Sequence, residues 1–382
     1  MIDSVVLQLK SGQFTVKDRK RFDASKSNGN KGYASRSCYS SSYQKSWKEK
    51  GVYCPLFTLY NRRGGFKELP EALEIQYSYP KLIYGTNAFE ADIYEIERNY
   101  KNLLFFAKGL GIETTIEHLR QAIVRHIDFS KIIVLAVYLG VADKVIPILS
   151  KFNYKPESDF RRSMFSNGKE GAAMKFWNTT QGFVGYDKIG EIINNGYTKQ
   201  EKWLIEKYRE GKIKRNLLKF ELSLERKDSM EAVIRNHIKT KKKDFTLEDI
   251  VSNKQAVKDI LLGTFDKIFS PTHIGLITLS EMEENRLLDY LYSSGISQHQ
   301  VEKLFFWVRM ATGFGISGTW SRLSEAYKGG NVSTNKKNIG QAIAELGKLE
   351  RKVPNLLEFI RNELEKFELV KPKSDNFLVN HC

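Results

Sequence analysis

Trp177-Asn178-Thr179-Thr180-Gln181-Gly182-Phe183-Val184-Gly185-Tyr186-Asp187-Lys188-Ile189-Gly190-Glu191 is the stretch from which the chain is best read outward. Taken as an extended segment of period two, it puts Val184, Tyr186 and Lys188 on one face. A phenol beside an ammonium suits a nucleophile. Free tyrosine titrates near ~10, so attack on phosphorus needs a neighbouring cation or base that favours the phenolate. Tyr-x-Lys also arises by chance on ordinary surface strands, so its weight depends on what other stretches supply.

Two stretches supply candidates. In Ala122 to Phe129 (Ala-Ile-Val-Arg-His-Ile-Asp-Phe), read as a strand, His126 and Asp128 share a face while Ile127 points to the core. That presents an imidazole nitrogen and a carboxylate oxygen as divalent-metal ligands. In Leu217 to Glu225, Glu221, Ser223 and Glu225 alternate with Phe220, Leu222 and Leu224. A glutamate there is a further ligand or a base. Mg²⁺ or Mn²⁺ so held would polarise a phosphate oxygen and neutralise charge developing at phosphorus. Each part also has a plain structural account: His126 as a satisfied edge histidine, Asp128 as a turn cap before Ser130, the glutamates as the solvated face of an amphipathic strand.

The chain as a whole fits such chemistry. Its 382 residues allow two domains, and 41% hydrophobic with 28% charged residues is ordinary globular composition. The net charge of +16 is less ordinary and favours a polyanionic partner, nucleic acid above all. Charge alone does not separate an enzyme acting on nucleic acid from a passive binder. Cys38, Cys54 and Cys382 form no CxxC pair, which argues against a disulfide framework and a cysteine zinc site. Met-Ile-Asp-Ser at the start shows no signal-peptide pattern, and Ile132 to Ala142 is too short to span a bilayer. A soluble intracellular protein is expected.

Strand patterns are expected at Ile2–Leu9, Leu73–Tyr79, Ala122–Phe129, Phe176–Ile189 and Leu217–Glu225. A basic loop rich in Ser, Gly and Asn spans Lys17 to Tyr43. Pro80 is expected to end the strand before it, Gly85-Thr86-Asn87 to turn, and helices to follow from Phe89 and over Ile132–Leu149 and Gln200–Tyr208. Beyond Lys239-Thr240-Lys241-Lys242-Lys243 helical periodicity dominates, at Phe245–Phe269, Glu281–Ser293, Gln298–Thr312, Trp320–Tyr327, Lys337–Leu346 and Val353–Phe367. The expected class is α+β: an antiparallel-sheet domain over residues 1–237, then an all-α domain over 245–382.

Four short motifs in order carry a resemblance. Met-Ile-Asp with a Val/Leu-rich strand leads to Pro80-Lys81-Leu82 and Gly85-Thr86-Asn87-Ala88-Phe89. His126-Ile127-Asp128 follows, then Trp177-Asn178-Thr179-Thr180 with Val184-Gly185-Tyr186-Asp187-Lys188, and last Lys219-Phe220-Glu221. Over roughly residues 1 to 230 this resembles the gene II replication initiators of filamentous phages. Tyr186-Asp187-Lys188 with Glu191 is also similar to a segment of plasmid rolling-circle initiators. Thr86 stands where the phage proteins have histidine, and His126 where they have arginine; His-hydrophobe-Asp is close to the His-hydrophobe-His motif of the wider HUH endonuclease superfamily.

The resemblance implies an HUH-like endonuclease fold and a metal-dependent tyrosine nickase. Tyr186 would attack a phosphodiester at the phage origin and become joined to the 5′ phosphate. The freed 3′ hydroxyl would prime rolling-circle synthesis, and a later cut would close the displaced strand into a circle. Lys188 would stabilise the phenolate or the phosphate, and His126, Asp128 and Glu221 would hold Mg²⁺ or Mn²⁺. The implied partners are origin DNA, double- and single-stranded, with host helicase and polymerase, in the cytoplasm of a bacterial host and away from membranes. Tyr186 is taken as the sole nucleophile, although Tyr33, Tyr43 and Tyr208 are also available. The C-terminal helices would bind the origin or host proteins; Gly329 to Thr334, between two helical runs, has some helix-turn-helix character, a packing pair of helices being the plainer account. The rival class is a non-enzymatic repressor or single-strand binder that uses its aromatic residues for stacking.

Overall fold

A computed structural model describes residues 1–24, 35–64, 67–68, 71–152, 161–166, 172–224, 226–269, 275–276, 279, 283–326, 337–343 and 355–372. Glu225, Tyr33, Cys382 and the segment Gly329–Thr334 lie outside the described residues. The strands are β1 (Ile2–Lys10), β2 (Thr15–Val16), β3 (Asp23–Ala24), β4 (Ser35–Tyr39), β5 (Leu56–Gly64), β6 (Lys67–Glu68), β7 (Ala72–Ser78), β8 (Ile112–Glu113), β9 (Ile123–Val134), β10 (Arg161–Ser166), β11 (Ala172–Trp177), β12 (Gln181–Asp187) and β13 (Leu217–Leu224). One antiparallel sheet runs in the order β10-β11-β12-β13-β9-β1-β7-β5-β4-β3, with β6 paired to β5; β2 and β8 form a separate ribbon. The class is α+β, with a mainly helical region after the sheet.

Alternation divides the central sheet into two unlike faces. Val5 and Leu7 of β1, Ile127 and Phe129 of β9, Phe220 and Leu222 of β13 and Phe183 of β12 are fully buried on one side. On the other, register aligns Tyr186 with Lys219, Val184 with Glu221, Glu221 with Ser130, Ser223 with Asp128, and Asp128 with Ser4. Polar side chains from four adjacent strands therefore share one surface.

The apolar face is covered partly by the C-terminal helices. Phe183 stacks on Phe220 at 5.2 Å, and Phe265 of helix Lys254–Ile268 meets Phe220 edge-on at 6.0 Å. One hydrophobic cluster runs from Met1 through the sheet to Phe367. Glu90 joins remote parts of the chain. Its carboxylate accepts from the Met1 amine at 3.3 Å, Lys131 Nζ at 2.8 Å, and the Ile132 and Val370 amides at 3.0 Å each.

Several local expectations are corrected. Pro80 opens a helix, Tyr79–Tyr84, which Ser78 caps and which Gly85 ends at φ 69. β9 continues to Val134, so the helix expected from Ile132 begins only at Ala142. Phe176–Ile189 divides into β11, a turn and β12, and the expected helix Phe245–Phe269 breaks at Ser252-Asn253. Gln298–Thr312 and Trp320–Tyr327 are parts of one helix, Gln298–Ala326. Among the described residues no helix is long and apolar enough to cross a membrane.

Candidate active site

β12 owes its placement to the hairpin before it. Asn178 Oδ1 accepts from the Thr180 and Gln181 amides, both at 2.9 Å, and turns the chain back from β11. Gly185 then lies against the core, where an added Cβ would fall 2.6 Å from Met174 Cε and 2.9 Å from Phe220 Cε1. Tyr186, its neighbour, points to the opposite, polar face. Only 8% of its surface is exposed.

Lys188 does not continue the strand. Asp187 caps the helix Lys188–Asn195, accepting from the Gly190 amide at 3.0 Å, while Arg215 Nε bonds its carboxylate at 2.6 Å. The expected shared strand face of Tyr186 and Lys188 is thus wrong in mechanism, since an aspartate N-cap wins over period-two continuation. The two groups still meet: Lys188 Nζ lies 5.7 Å from the Tyr186 ring centre and 2.5 Å from Glu191 Oε2.

The Tyr186 hydroxyl donates to Glu221 Oε1. The same oxygen is 3.0 Å from Lys219 Nζ, which reaches on to Asp3 Oδ1 at 2.6 Å; Asn87 Nδ2 donates to that Asp3 oxygen at 3.3 Å. A register irregularity between Ile2 and Ser4 accompanies the joint use of Asp3 and Ser4 here, Asp3 serving Lys219 and Ser4 donating to Asp128.

Burial dominates the electrostatics. It holds the Tyr186 phenol well above its usual value near 10, and the Glu221, Asp3 and Glu191 carboxylates push the same way. Glu221 is lifted to about 7, by burial first and the Asp3 charge next, with Lys219 pulling back. Burial lowers Lys188, against the attraction of Glu191. Asp3 ends below its ordinary range because the Lys219 ammonium, with hydrogen bonds from its neighbours, outweighs its burial.

His126 and Asp128 lie together as expected, Nε2 3.0 Å from Oδ1, and both retain access to solvent. Glu221 does not join them. Asp128 stands opposite Ser223, so Glu221 is its diagonal neighbour across β9 and β13, and its carboxylate is already bound by Tyr186 and Lys219. Among the described residues no three His, Cys, Asp or Glu side chains gather as a metal site. The expected ligand triad is therefore not assembled. Of the alternative tyrosines, Tyr43 donates to the Phe106 carbonyl at 3.2 Å and Tyr208 bonds Arg215.

Asp3, Lys81, Asn87, Glu191 and Lys219 entered the sequence reading only as members of motifs, with no role in the site. Lys219 falls in the polar phase of its strand with Glu221 and Ser223, so alternation did not single it out; its partner Asp3 is 216 residues away. No protein-family model, curated protein or solved structure matches the chain. The site's chemistry must therefore be argued from its own groups: a buried phenol with a carboxylate acceptor, flanking ammoniums and an accessible His–Asp pair.

Proposed function

We propose that the protein is a rolling-circle replication initiator of the HUH-like, filamentous-phage kind, which nicks one DNA strand at an origin through a covalent 5′-phosphotyrosine and later rejoins the displaced strand. The observation that carries this reading is the hydrogen bond from the Tyr186 hydroxyl to the Glu221 carboxylate, which burial and the Asp3 charge push up to about 7. The positive net charge and the motif order support it.

The residues act as follows. In the resting site, transfer of the Tyr186 proton to Glu221 is uphill, since the phenol lies far above the carboxyl. The proton therefore moves as the phenol oxygen bonds to phosphorus, with Glu221 as general base. The bond from phosphorus to the 3′ oxygen breaks, and that oxygen leaves with the electron pair and takes a proton from solvent, while Glu221 releases to solvent the proton it took from the phenol. Lys188 and Lys219 offset the charge gathered at the centre. The phosphotyrosine conserves the ester, so attack by a 3′ hydroxyl reverses the step and rejoins DNA without a nucleotide cofactor.

His126, Asp128 and Glu221 do not fit Mg²⁺ or Mn²⁺ as a set of three, because Glu221 is engaged elsewhere. His126 and Asp128 are two suitable donors, and such an ion commonly completes its shell with water and substrate phosphate. No step above depends on it.

The test is incubation with supercoiled DNA of the cognate replicon, with Mg²⁺ or Mn²⁺ and with chelator. Nicked circles with protein on the 5′ end, lost in Tyr186→Phe, are expected; tight binding without cutting under any metal would overturn the reading. The burial of Tyr186 favours a second reading, a non-enzymatic DNA binder, for which Tyr186→Phe changes nothing.

A further inference from the structure

Away from the tyrosine, cations collect around another aromatic ring. Tyr197 lies in the turn between helices Lys188–Asn195 and Lys199–Arg209. Lys48 Nζ stands 5.0 Å from its ring centre and Lys81 Nζ 5.7 Å. Helix Ser41–Glu49 is held to the same turn by the Lys199 amide, which donates to the Gly51 carbonyl at 2.9 Å. This brings the exposed Lys48 and Lys199 together, with the exposed Lys50 next to Gly51 and its Nζ 5.0 Å from the Trp47 ring centre. Lys81 has a carboxylate partner, Glu201 at 2.7 Å; among the described residues Lys48, Lys50 and Lys199 meet none. Glu49 and Glu206 are exposed on the same helices, but the basic residues outnumber the acidic on both.

The surface continues along the second helix. Lys199, Trp203 and Lys207 recur at intervals of four and so share a face. Trp203 is 43% exposed, and Lys207 Nζ, which pairs with Glu210 at 2.7 Å, lies 5.8 Å from its ring centre. Inward, the surface adjoins the tyrosine site: the Thr198 hydroxyl, next to Tyr197, donates to the Gly85 carbonyl at 2.6 Å, and Asn87, two residues further on, donates to Asp3 of that site at 3.3 Å. Like charges clustered without counter-charges repel, and an anion that crosses them removes that cost. The exposed Trp203 ring and the half-buried Tyr197 ring lie between the cations and offer stacking faces, which unpaired bases can use and a stacked duplex cannot.

We infer that this surface is a track for single-stranded DNA, carrying the strand that flanks the scissile phosphate from Lys81 over Tyr197, past Lys48, Lys50 and Lys199, to Trp203. It deepens the reading of Tyr186 as the nucleophile by saying where the substrate strand lies, and it rests on that reading only for the word scissile.

The test is fluorescence anisotropy of labelled oligo(dT) over a salt series, with wild type, Lys48→Gln/Lys50→Gln/Lys199→Gln, Trp203→Ala and Tyr186→Phe, each checked for an unchanged melting temperature. Loss of three phosphate contacts should flatten the log–log salt slope by about 2, and loss of the Trp203 stack should weaken binding by about tenfold. Tyr186→Phe should bind like wild type. Track variants that bind with wild-type affinity and slope overturn the inference, as does a duplex that binds as tightly as oligo(dT) and loses as much to the same substitutions. Nicking assays on the same proteins separate the two claims. A wild type that never cuts, with binding lost in the track variants, removes the nuclease and keeps the track; cutting by Tyr186 with binding unmoved in the track variants does the reverse.

Discussion

The Tyr186 hydroxyl donates across β12 and β13 to the carboxylate of Glu221, a residue opposite Val184 rather than opposite the tyrosine itself. The bond is diagonal, so it depends on the register of the two strands as well as on the two residues. Lys219, which does stand opposite Tyr186, bonds the same carboxylate.

Glu221→Gln keeps the shape and removes the proton acceptor. Formation of the covalent protein–DNA adduct, followed by denaturing gel, should slow by about 10²–10⁴-fold, the usual range for a general base. Tyr186→Phe should abolish the adduct entirely. A Glu221→Gln variant with wild-type adduct rates would remove Glu221 from the chemistry.

Adduct formation should rise with pH through about 7, as Glu221 loses its proton, and Glu221→Gln should flatten that rise. Stability should run the other way. A carboxyl whose folded pKa is raised favours its neutral form in the fold, so its contribution is full below its ordinary 4.5 and lost as pH climbs through about 7. Thermal melts of wild type against Glu221→Gln across that window measure it; a difference that stays constant with pH would refute the assignment.

Lys219→Met removes a fully buried cation and leaves Asp3 and Glu221 facing each other. Breaking a buried pair in this way should cost about 3–5 kcal/mol in urea unfolding. Adding Asp3→Asn to Lys219→Met should recover part of the loss.

Gly185→Ala places a methyl group against Met174 and Phe220 behind the tyrosine. Overpacking of this kind should cost about 1–3 kcal/mol. It should also weaken nicking more than DNA binding, because the displaced strand carries Tyr186.

His126→Ala or Asp128→Asn should weaken Mn²⁺ binding, read by electron paramagnetic resonance, and raise the metal concentration that nicking requires. Glu221→Gln should leave Mn²⁺ binding unchanged, since its carboxylate is held by Lys219 and Tyr186. Equal loss of Mn²⁺ in all three variants would restore the ligand triad.

Much of the frame was legible in the sequence because it is local. Alternation in Leu73–Tyr79 and Leu217–Leu224 marks strands with one buried face, and 3.6-residue periodicity marks the helical region. What escaped is set by competition or by distance. The Asp187 cap took Lys188 out of the strand, and a Ser78 cap turned Pro80 from a terminator into a helix opener. Spacing left Glu221 as a ligand or a base, and the resemblance made it a metal ligand; the neighbours that claim it, Lys219 and through it Asp3, meet it only once β1, β9, β12 and β13 are in register.

Glu90 has a consequence in time. Its carboxylate takes donors from Met1, from Lys131 and Ile132, and from Val370, which follows it by 280 residues. During synthesis at about 5–20 residues per second, Glu90 waits roughly 14–56 s for that last donor. Until then the carboxylate lacks the Val370 amide, and the Glu90 amide lacks the Val370 carbonyl that it meets at 2.8 Å. The growing chain can pair its strands before that donor is made, but it closes this joint only once Val370 has left the ribosome.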